Sequence, residues 1–278
     1  MPALNERIRN FYNHSTPLWL NTWGEHMHHG FYGFDGKSKK DDRKAQKDLI
    51  DELLKWGNIE QADRILDAGC GVGGSARYLS AVFNADVTGF TLSNIQAEKA
   101  AQLNKIAGTD KVNISVRDMM TLKKDEGQYD LIWSLESAEH VEDKKQMLQI
   151  FYDHLNPGSK FIIATWCIRN APPPLNGSEK SRLNKISSLY HLPPMISMND
   201  YISIIKSTGF KNIHAEDWTI AVAPFWKAVI RSALKWKSVK GLLTSGLPTI
   251  KGAWAMRYMR KGFRKGTLTF VVLQGQKL

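Results

Sequence analysis

The sequence predicts an α/β fold in which a parallel sheet carries helices on both faces. Two observations support this fold class. Between residues 64 and 166, short apolar runs alternate with amphipathic helical stretches, and short loops join them. This is the pattern of successive strand–helix–strand units. In addition, the first run enters a glycine-rich turn that opens a helix. Ligands in such sheets bind beyond the carboxyl ends of the strands, so we expect the functional site there.

Apolar periodicity and capping residues set the boundaries of each element. The predicted strands cover 64–67, 86–90, 112–117, 131–135, 160–166, 213–218 and 267–273. The predicted helices cover 4–13, a short segment capped by Ser15 or Thr16, 40–56, 74–83, 94–107, 143–154, 199–208 and two runs within 225–263. Ser93 is expected to cap the helix over 94–107, and Gly108 to end it. We also expect a turn at 156–159, a loop-rich connection between the prolines at 172–174 and 193–194, and a helix break at 241–248.

The length and composition favour one globular domain over residues 1–278. Of its 278 residues, 42% are hydrophobic and 23% are charged, which is ordinary for a globular protein. We expect an N-terminal helical cap at 1–58, a ligand-binding core at 59–168, and a substrate lid at 169–278. This lid comprises a helical insertion and the last strands.

The sequence also bears on the compartment in which the protein works. No run of about 18 apolar residues occurs, so no membrane-spanning helix is expected. The N-terminus lacks the pattern of a signal or transit peptide. Two cysteines, Cys70 and Cys167, are expected to be buried and unpaired. This usage is typical of a reducing compartment, so we expect a cytoplasmic protein.

The glycine turn after the first strand indicates the class of ligand. Its glycines fit the dinucleotide pattern G-x-G-x-x-G at Gly69, Gly71 and Gly74. A dinucleotide site, however, typically has an acidic residue about 20 positions later, at the end of the second strand. That strand ends at Thr91 without one. Asp67, directly before the glycines, would repel a pyrophosphate but would suit an ammonium and a sulfonium. S-adenosylmethionine carries both, and a purely structural turn is the alternative.

Polar side chains follow the fourth strand at the same edge of the predicted sheet. They are Ser134, Glu136, Ser137, Glu139 and His140. Carboxylate and imidazole groups share and move protons readily, so this cluster is a candidate acid/base site. The alternative is that Glu136 and Glu139 cap the next helix, where negative charge is favoured.

Histidines are concentrated in the segment 23–33, at positions 26, 28 and 29. A metal site is not expected. Structural zinc sites have four ligands that occur in defined pairs, and no second Cys/His cluster occurs in the sequence. Aromatic residues and histidines beside glycines are instead typical of a flexible wall that closes over a small molecule.

The positive charge is concentrated at the C-terminal end of the chain. The net charge is +11, and no Asp or Glu follows Asp217, whereas twelve Lys and Arg residues do. Trp226, Trp236 and Trp254 are interleaved with these cations. Three interpretations stay open: a nucleic-acid surface, a surface resting on anionic lipid, or a solvated helix face.

Four segments together resemble the tocopherol methyltransferase family, especially its cyanobacterial members. They are 23–32 (WGEHMHHGFY), 65–74 (ILDAGCGVGG), 88–93 (TGFTLS) and 133–140 (WSLESAEH). The resemblance continues through 223–226 (APFW) and 259–263 (MRKGF) to the end of the chain. It implies the class I methyltransferase fold, which is Rossmann-like, with a seven-stranded sheet whose last strand is antiparallel. It also implies methyl transfer from S-adenosylmethionine to an aromatic carbon of a chromanol. Related plant enzymes methylate a nitrogen of indole alkaloids.

The resemblance also implies roles for individual residues. The methionine part of the cofactor would lie against Asp67, Gly69, Gly71 and Gly73. The ribose region would contact Thr91, Leu92 and Gln96, and the adenine would contact Asp118 and Met119, with Ser134 at the same edge. In the segment 137–144 this chain has Ala138, Val141 and Glu142 where the family pattern has Gly, Met and Pro. Ala138 and Val141 would lie beside the acceptor.

The sequence therefore predicts a methyltransferase for a small, apolar, aromatic acceptor. The acceptor's proton would be taken by His140, His28 or His29, and Glu136 would orient that histidine or stabilise a developing cation. An indole-type alkaloid acceptor stays open, as does a nucleic-acid- or lipid-surface-binding protein. As partners we expect a small molecule and peripheral contact with an anionic membrane, and no nucleic acid.

Overall fold

The computed structural model describes residues 3–233 and 247–278. The helices are α1 Leu4–Trp23, α2 Asp42–Trp56, α3 Gly74–Phe83, α4 Asn94–Ala107, α5 Lys144–His154, α6 Gly177–Tyr190, α7 Met198–Thr208, α8 Thr219–Val222, α9 Phe225–Ala233 and α10 Leu247–Arg264. The strands are β1 Arg64–Ala68, β2 Asp86–Thr91, β3 Val112–Val116, β4 Tyr129–Leu135, β5 Leu155–Ile168, β6 Lys211–Asp217 and β7 Leu268–Gln276. Short 3₁₀ turns lie at Met119–Thr121 and Ala138–His140.

The strands form one seven-stranded sheet in the order β3-β2-β1-β4-β5-β7-β6. Strands β1 to β5 pair in parallel, and β7 is antiparallel to both β5 and β6. The predicted sheet with an antiparallel last strand is thereby confirmed. The strand order reverses between β1 and β4, and the carboxyl ends at such a switch point form the crevice in which ligands bind.

Alternate residues of the central strands pack on opposite faces of the sheet. In β1, Ile65 belongs to a cluster with Leu49 and Leu53 of α2, whereas Leu66 belongs to a cluster with Phe151 of α5. All five are fully buried. Helices on both faces thus explain why the strands are apolar along most of their length. No helix in the described part of the chain is long and apolar enough to cross a membrane.

The N-terminal region contains one long helix, so the prediction of two short ones is wrong. Helix α1 continues through Pro17, which removes one backbone donor. Aromatic side chains compensate on both sides of it. Trp19 makes edge contacts with Phe11 at 5.6 Å and Tyr12 at 5.9 Å, and it stacks on Trp23 at 5.8 Å.

The segment between the two proline clusters contains helix α6, so the expected loop-rich connection is wrong. Asn176 and Glu179 form a capping box at its start, and Leu183, Ile186 and Tyr190 are buried on one side. The expected turn at 156–159 is instead part of β5, where the Gly158 N–H donates to the Lys277 carbonyl at 2.7 Å. Of the expected break at 241–248, residues 241–246 lie outside the described part, and residues 247–248 begin α10.

Candidate active site

The carboxyl ends of β1, β2 and β4 border a cavity of about 470 Å³, and helix α1 lies across it. Most of the residues predicted from the sequence line this cavity: Asp67, Gly69, Gly71, Thr91, Leu92, Gln96, Asp118, Met119, Glu136, His140 and His28. The structure thus gathers residues that are more than 100 positions apart in the sequence at one edge of the sheet.

The glycine turn is shaped by positive backbone angles and close packing. Gly69 has a φ of 93° and Gly71 a φ of 56°. A Cβ at position 69 would collide with the Ser137 side chain, whereas the nearest atom to one at position 71 would be Gln96 Nε2, 3.9 Å away. The N–H groups of Gly69 and Cys70 both donate to the Phe90 carbonyl, at 3.0 and 2.9 Å. The turn is therefore held against β2, and it leaves room for a ligand above Gly71.

Asp67 lines the cavity and has one unpaired carboxyl oxygen. The residue is 2% exposed, and its Oδ2 atom has no hydrogen-bond partner in the described part of the chain. Burial raises the pKa of this carboxyl to about 7, although the Ala76 N–H and the Arg77 guanidinium act in the opposite direction. A buried acceptor without a partner is costly. A cationic ligand with an N–H donor would supply that partner, so the residues present fit the ammonium end of S-adenosylmethionine.

The remaining predicted cofactor residues form a polar rim along β2 and β3. The Thr91 hydroxyl donates to Gln96 Oε1 at 2.6 Å, and Ser93 caps α4 as predicted. Asp118 follows β3, and its Oδ1 accepts from the Met120 N–H at 2.9 Å. This rim offers hydroxyl, amide and carboxylate groups of the kind that hold a nucleoside.

Helix α1 is bound to this rim by side-chain hydrogen bonds that the sequence did not reveal. Asn5 Nδ2 donates to Asp118 Oδ2 at 2.6 Å, and Arg9 Nε donates to the Leu92 carbonyl at 3.2 Å. The Ser93 hydroxyl donates to Asn13 Oδ1 at 2.5 Å. These pairs are 80 or more residues apart, so no local pattern could indicate them. Helix α1 is thus a wall of the site.

The histidine segment is fixed by the start of α2. Phe31 N–H donates to the Ala45 carbonyl at 2.8 Å, and Gly30 packs so closely on Ala45 that no side chain fits at position 30. Gln46 Nε2 donates to the carbonyls of His26 and His28. This segment is therefore an anchored wall of the site, with Gly30 as the point of closest packing.

Glu136 holds His29 with both carboxylate oxygens. Its Oε1 accepts from the His29 N–H at 2.5 Å, and its Oε2 accepts from His29 Nδ1 at 2.8 Å. Although burial opposes it, the neighbouring His29 lowers the pKa of Glu136, so the group stays a carboxylate. Glu136 has a φ of 53°, a left-handed conformation that is strained for a side chain of this size. Such strain is typical of functional sites.

The tautomer of His28 follows from its hydrogen bond. Its Nδ1 lies 2.8 Å from the His29 carbonyl oxygen, which can only accept, so Nδ1 carries the proton. The Nε2 lone pair is therefore free, and this atom is buried without a partner. Burial lowers the pKa of His28 to about 3, while Glu136 acts against that effect. His28 is thus a neutral imidazole whose unpaired acceptor atom is fixed by its neighbours.

His140 is paired with a residue of the N-terminal helix. Its Nε2 shares a 2.8 Å hydrogen bond with the Tyr12 hydroxyl. Burial lowers the pKa of His140 to about 3 and raises that of Tyr12. Both groups are therefore neutral at physiological pH.

Glu139, the remaining acid of the cluster, lies behind the site. Its Oε2 accepts from the Thr165 hydroxyl at 2.7 Å, and burial raises its pKa to about 8. The alternative that Glu136 and Glu139 cap the next helix is wrong, because Asp143 caps α5 by accepting from the Gln146 N–H.

Three of the predicted site residues lie outside the cavity lining. A Cβ at Gly73 would collide with Ile114, so this glycine serves packing against β3. The Ser134 hydroxyl lies 2.8 Å from that of Ser137, beneath the cavity. His29 is 1% exposed and stands behind Glu136, among aromatic rings.

Neither metal nor cysteine chemistry is indicated at this edge. No group of three or more potential metal ligands occurs among the described residues. Cys70 and Cys167 are unpaired and buried, as predicted. Burial raises the pKa of the Cys70 thiol, which opposes a role as nucleophile.

Comparison with known proteins decides the family. A family model described as "Methyltransferase domain" matches residues 39–215. The probable tocopherol O-methyltransferase of Oryza sativa subsp. japonica is 41% identical over 99% of this chain and 79% of its own length. The chain belongs to the tocopherol methyltransferase family. It is an S-adenosylmethionine-dependent methyltransferase, which agrees with the geometry around Asp67.

Two further proteins show how widely this architecture is used. Norajmaline N-methyltransferase of Rauvolfia serpentina is 30% identical to this methyltransferase over 100% of the chain and 99% of its own length. The solved structure of geranyl diphosphate C-methyltransferase from Streptomyces coelicolor A3(2) superposes with a TM-score of 0.79 at 19% identity. That comparison covers 100% of this chain and 98% of the other. It confirms the class I methyltransferase fold.

The raised pKa of Asp67 predicts that cofactor binding depends on pH. The carboxylate form binds a cationic ligand, so affinity is full above pH 7 and is lost as the pH falls through about 7. The Kd for S-adenosylhomocysteine, which keeps the ammonium, should rise roughly tenfold from pH 8 to pH 6. Titration calorimetry measures it. Asp67→Asn should bind weakly with no such pH dependence, and a wild-type Kd that is constant over this range would contradict the assignment.

The packing of Gly69 predicts a selective loss on substitution. Gly69→Ala should weaken S-adenosylhomocysteine binding by about 10²-fold or more, because the new methyl group forces the turn away from Ser137. Gly108→Ala is the matched control, since Gly108 also has a positive φ, 65°, but nothing lies within 4 Å of its Cβ position. It should cost only about 1 kcal/mol of stability and leave the Kd unchanged. Equal Kd values for both variants would rule out the packing argument.

Proposed function

We propose that this enzyme methylates a phenolic, chromanol-like acceptor that carries an apolar tail. The observation that carries the proposal is that Asp67, His28 and Glu136 line the same cavity. The tocopherol methyltransferase relatives support the acceptor class. The aromatic ring of Tyr12, which contacts His140 at the cavity and is backed by Phe11, offers an apolar surface for such a ring.

The proposed cofactor contacts divide along the rim of the cavity. Asp67, Gly69 and Gly71 would hold the methionine part. Thr91, Leu92 and Gln96 would hold the ribose, with Asp118 and Met119 beside the adenine, while Gly73 and Ser134 support the turn from behind. When bound, S-adenosylmethionine supplies an already activated methyl group. The task of these residues is therefore alignment, which is worth effective concentrations on the order of 10⁵ M or more.

His28 is the proposed acceptor of the phenolic proton. His28 lines the cavity, and its tautomer is fixed by the His29 carbonyl. A phenol that gives up its proton becomes a stronger carbon nucleophile. Glu136 would stabilise the charge that forms on the imidazole, because it opposes the burial that lowers the pKa of His28 to about 3. Proton transfer of this kind contributes about 10²-fold or more to the rate.

Glu136 is proposed to position His28 through residue 29. The carboxylate fixes both the backbone N–H and the ring of His29, and the carbonyl of His29 in turn fixes the ring of His28. The strained backbone of Glu136 after β4 would be the conformation in which both carboxylate oxygens reach His29. His29 is therefore proposed as a positioning residue. His140, paired with Tyr12, is proposed to close the acceptor side and to bring helix α1 over it.

N-methylation of an indole-type alkaloid is the second candidate function. The norajmaline N-methyltransferase relative favours it, because it matches this chain from end to end. The carboxylate of Glu136 would also stabilise the ammonium formed on a methylated nitrogen. Residues beside the acceptor differ from the family pattern at Ala138 and Val141, which are buried near His140.

The substrate lid, the membrane contact and the cellular location are also parts of the proposed function. The helices after residue 169 are proposed to act as a substrate lid. An acceptor that dissolves in lipid gives a reason for peripheral contact with an anionic membrane surface. A cytoplasmic location, supported by two unpaired buried cysteines, stays a prediction.

A product assay tests the acceptor class. Purified enzyme is incubated with labelled S-adenosylmethionine and either γ-tocopherol or an indole-type amine, and the product is identified by mass spectrometry and NMR. We expect turnover of the chromanol with a new methyl group on the ring carbon. Methylation of the amine nitrogen would support the second candidate, and methylation of the phenolic oxygen would contradict carbon transfer.

Substitution of His28 tests the proposed proton acceptor. His28→Ala should lower kcat by about 10²-fold or more while the Kd for S-adenosylhomocysteine stays the same. His14→Ala is the matched control, because His14 is exposed on α1 and its ring bonds to the Asn10 carbonyl of its own helix. It should retain full turnover. If His28→Ala turns over as fast as wild type with an unchanged pH profile, the proton goes elsewhere.

A further inference from the structure

Helix α10 presents a row of cations on its outer side. Arg257, Arg260, Lys261, Arg264 and Lys265, here called the basic ridge, are all exposed. The spacing of the first four, at steps of three and four residues, places them on one face of the helix. No acidic residue occurs anywhere from 218 to 278. Of the ridge, Arg260, Lys261, Arg264 and Lys265 form no ion pair in the described part of the chain.

The inner side of the same helix forms part of the wall behind the active site. Met259 and Phe263 are buried, at 0% and 5% exposure. The ring of Phe263 stacks on His29 with centroids 5.7 Å apart, and it contacts Trp226 at 5.8 Å. His29 is the residue that Glu136 holds. A surface bound to the ridge would therefore lie one helix away from the catalytic groups.

We propose that the basic ridge docks the enzyme on an anionic lipid bilayer. Four cations on one helix face and a fifth directly after the helix, with no acid in the last 61 residues, complement a layer of anionic headgroups. The ridge adds a defined surface to the proposed function, because it would bring the enzyme to the bilayer in which the acceptor is dissolved. This consequence for turnover rests on the proposed acceptor, whereas the docking itself does not.

The composition of the ridge favours lipid over nucleic acid. Single-stranded nucleic acid is bound by cationic grooves that also present aromatic rings for base stacking. The exposed large hydrophobic residues of the described chain are Phe34, Val82, Ile106, Val116, Ile220 and Leu278, and none of them belongs to the ridge. A headgroup layer requires charge without stacking.

Vesicle flotation tests the docking surface. We expect the full-length protein to float with phosphatidylcholine vesicles that contain 30 mol% (about one third) phosphatidylglycerol, and to stay behind with pure phosphatidylcholine. The quadruple variant R260Q/K261Q/R264Q/K265Q should lose about 10²-fold or more in partitioning. The matched control K37Q/K105Q/K206Q/K211Q removes the same charge from exposed lysines elsewhere, and it should partition within about threefold of wild type.

Several outcomes would overturn the proposal. One is an equal loss in both variants, because net charge alone would then explain binding. Another is the absence of flotation with anionic vesicles. A third is tighter binding of a single-stranded RNA than of vesicles at the same salt concentration, which would assign the ridge to nucleic acid. Thermal melting and S-adenosylhomocysteine binding show that each variant is folded.

A turnover assay separates this proposal from the proposed function. With γ-tocopherol embedded in anionic vesicles, the ridge variant should lose turnover by about tenfold or more, in line with its weaker partitioning. With the same acceptor in neutral detergent micelles, it should match wild type. Failure of the proposed function would show as no turnover in either form, with flotation intact. Equal losses in vesicles and micelles would contradict a docking role.

Discussion

The site is organised around a buried carboxyl group, one oxygen of which has no hydrogen-bond partner among the described residues. Asp67 lies at the end of β1, and the turn that follows is too tight and too crowded to place a side chain over it. An unpaired acceptor in such a place destabilises the free protein, and a cation with N–H donors removes that cost. The same anion disfavours a pyrophosphate. With the proposed cofactor contact, this one side chain would distinguish the site from the dinucleotide sites whose glycine spacing it shares.

The rest of the architecture builds walls around that anion. The turn is tied to β2, the histidine segment is tied to α2, and α1 is tied to the β2 and β3 ends. Glu136 and His28 line the same cavity, and His29 links them behind it. Residues from α1, β1 and β4 all line this cavity. The acceptor side and the cofactor side are therefore built from the same packed elements.

Local patterns predicted the core of the fold, and most of the residues predicted for the site line the cavity. The strand–turn–helix at 64–83, the cap at Ser93 and the antiparallel last strand all follow from periodicity, capping and family resemblance. The helices outside this core were predicted less well. Pro17 indicated a helix boundary, yet α1 continues through it because aromatic side chains pack on both sides of the proline. The capping box of Asn176 and Glu179 could have indicated the start of α6. The flanking prolines instead led to the prediction of a loop-rich connection.

The geometry of the catalytic groups could not be read from the sequence, because it depends on contacts between distant segments. Tyr12 meets His140 across 128 positions, and His29 meets Glu136 across 107. Glu136 holds His29, and His28 is the one that lines the cavity. Resemblance to a family can identify both histidines as candidates. It does not show which ring nitrogen carries the proton, which depends on the hydrogen bonds.

The most direct measurement is the crystal structure of this enzyme with S-adenosylhomocysteine bound. The account predicts that the amino group of the ligand lies within hydrogen-bond distance of Asp67 Oδ2 and that its sulfur lies over the glycine turn, facing His28. A ligand bound with its amino group away from Asp67, or with that oxygen still unpaired, would contradict the account.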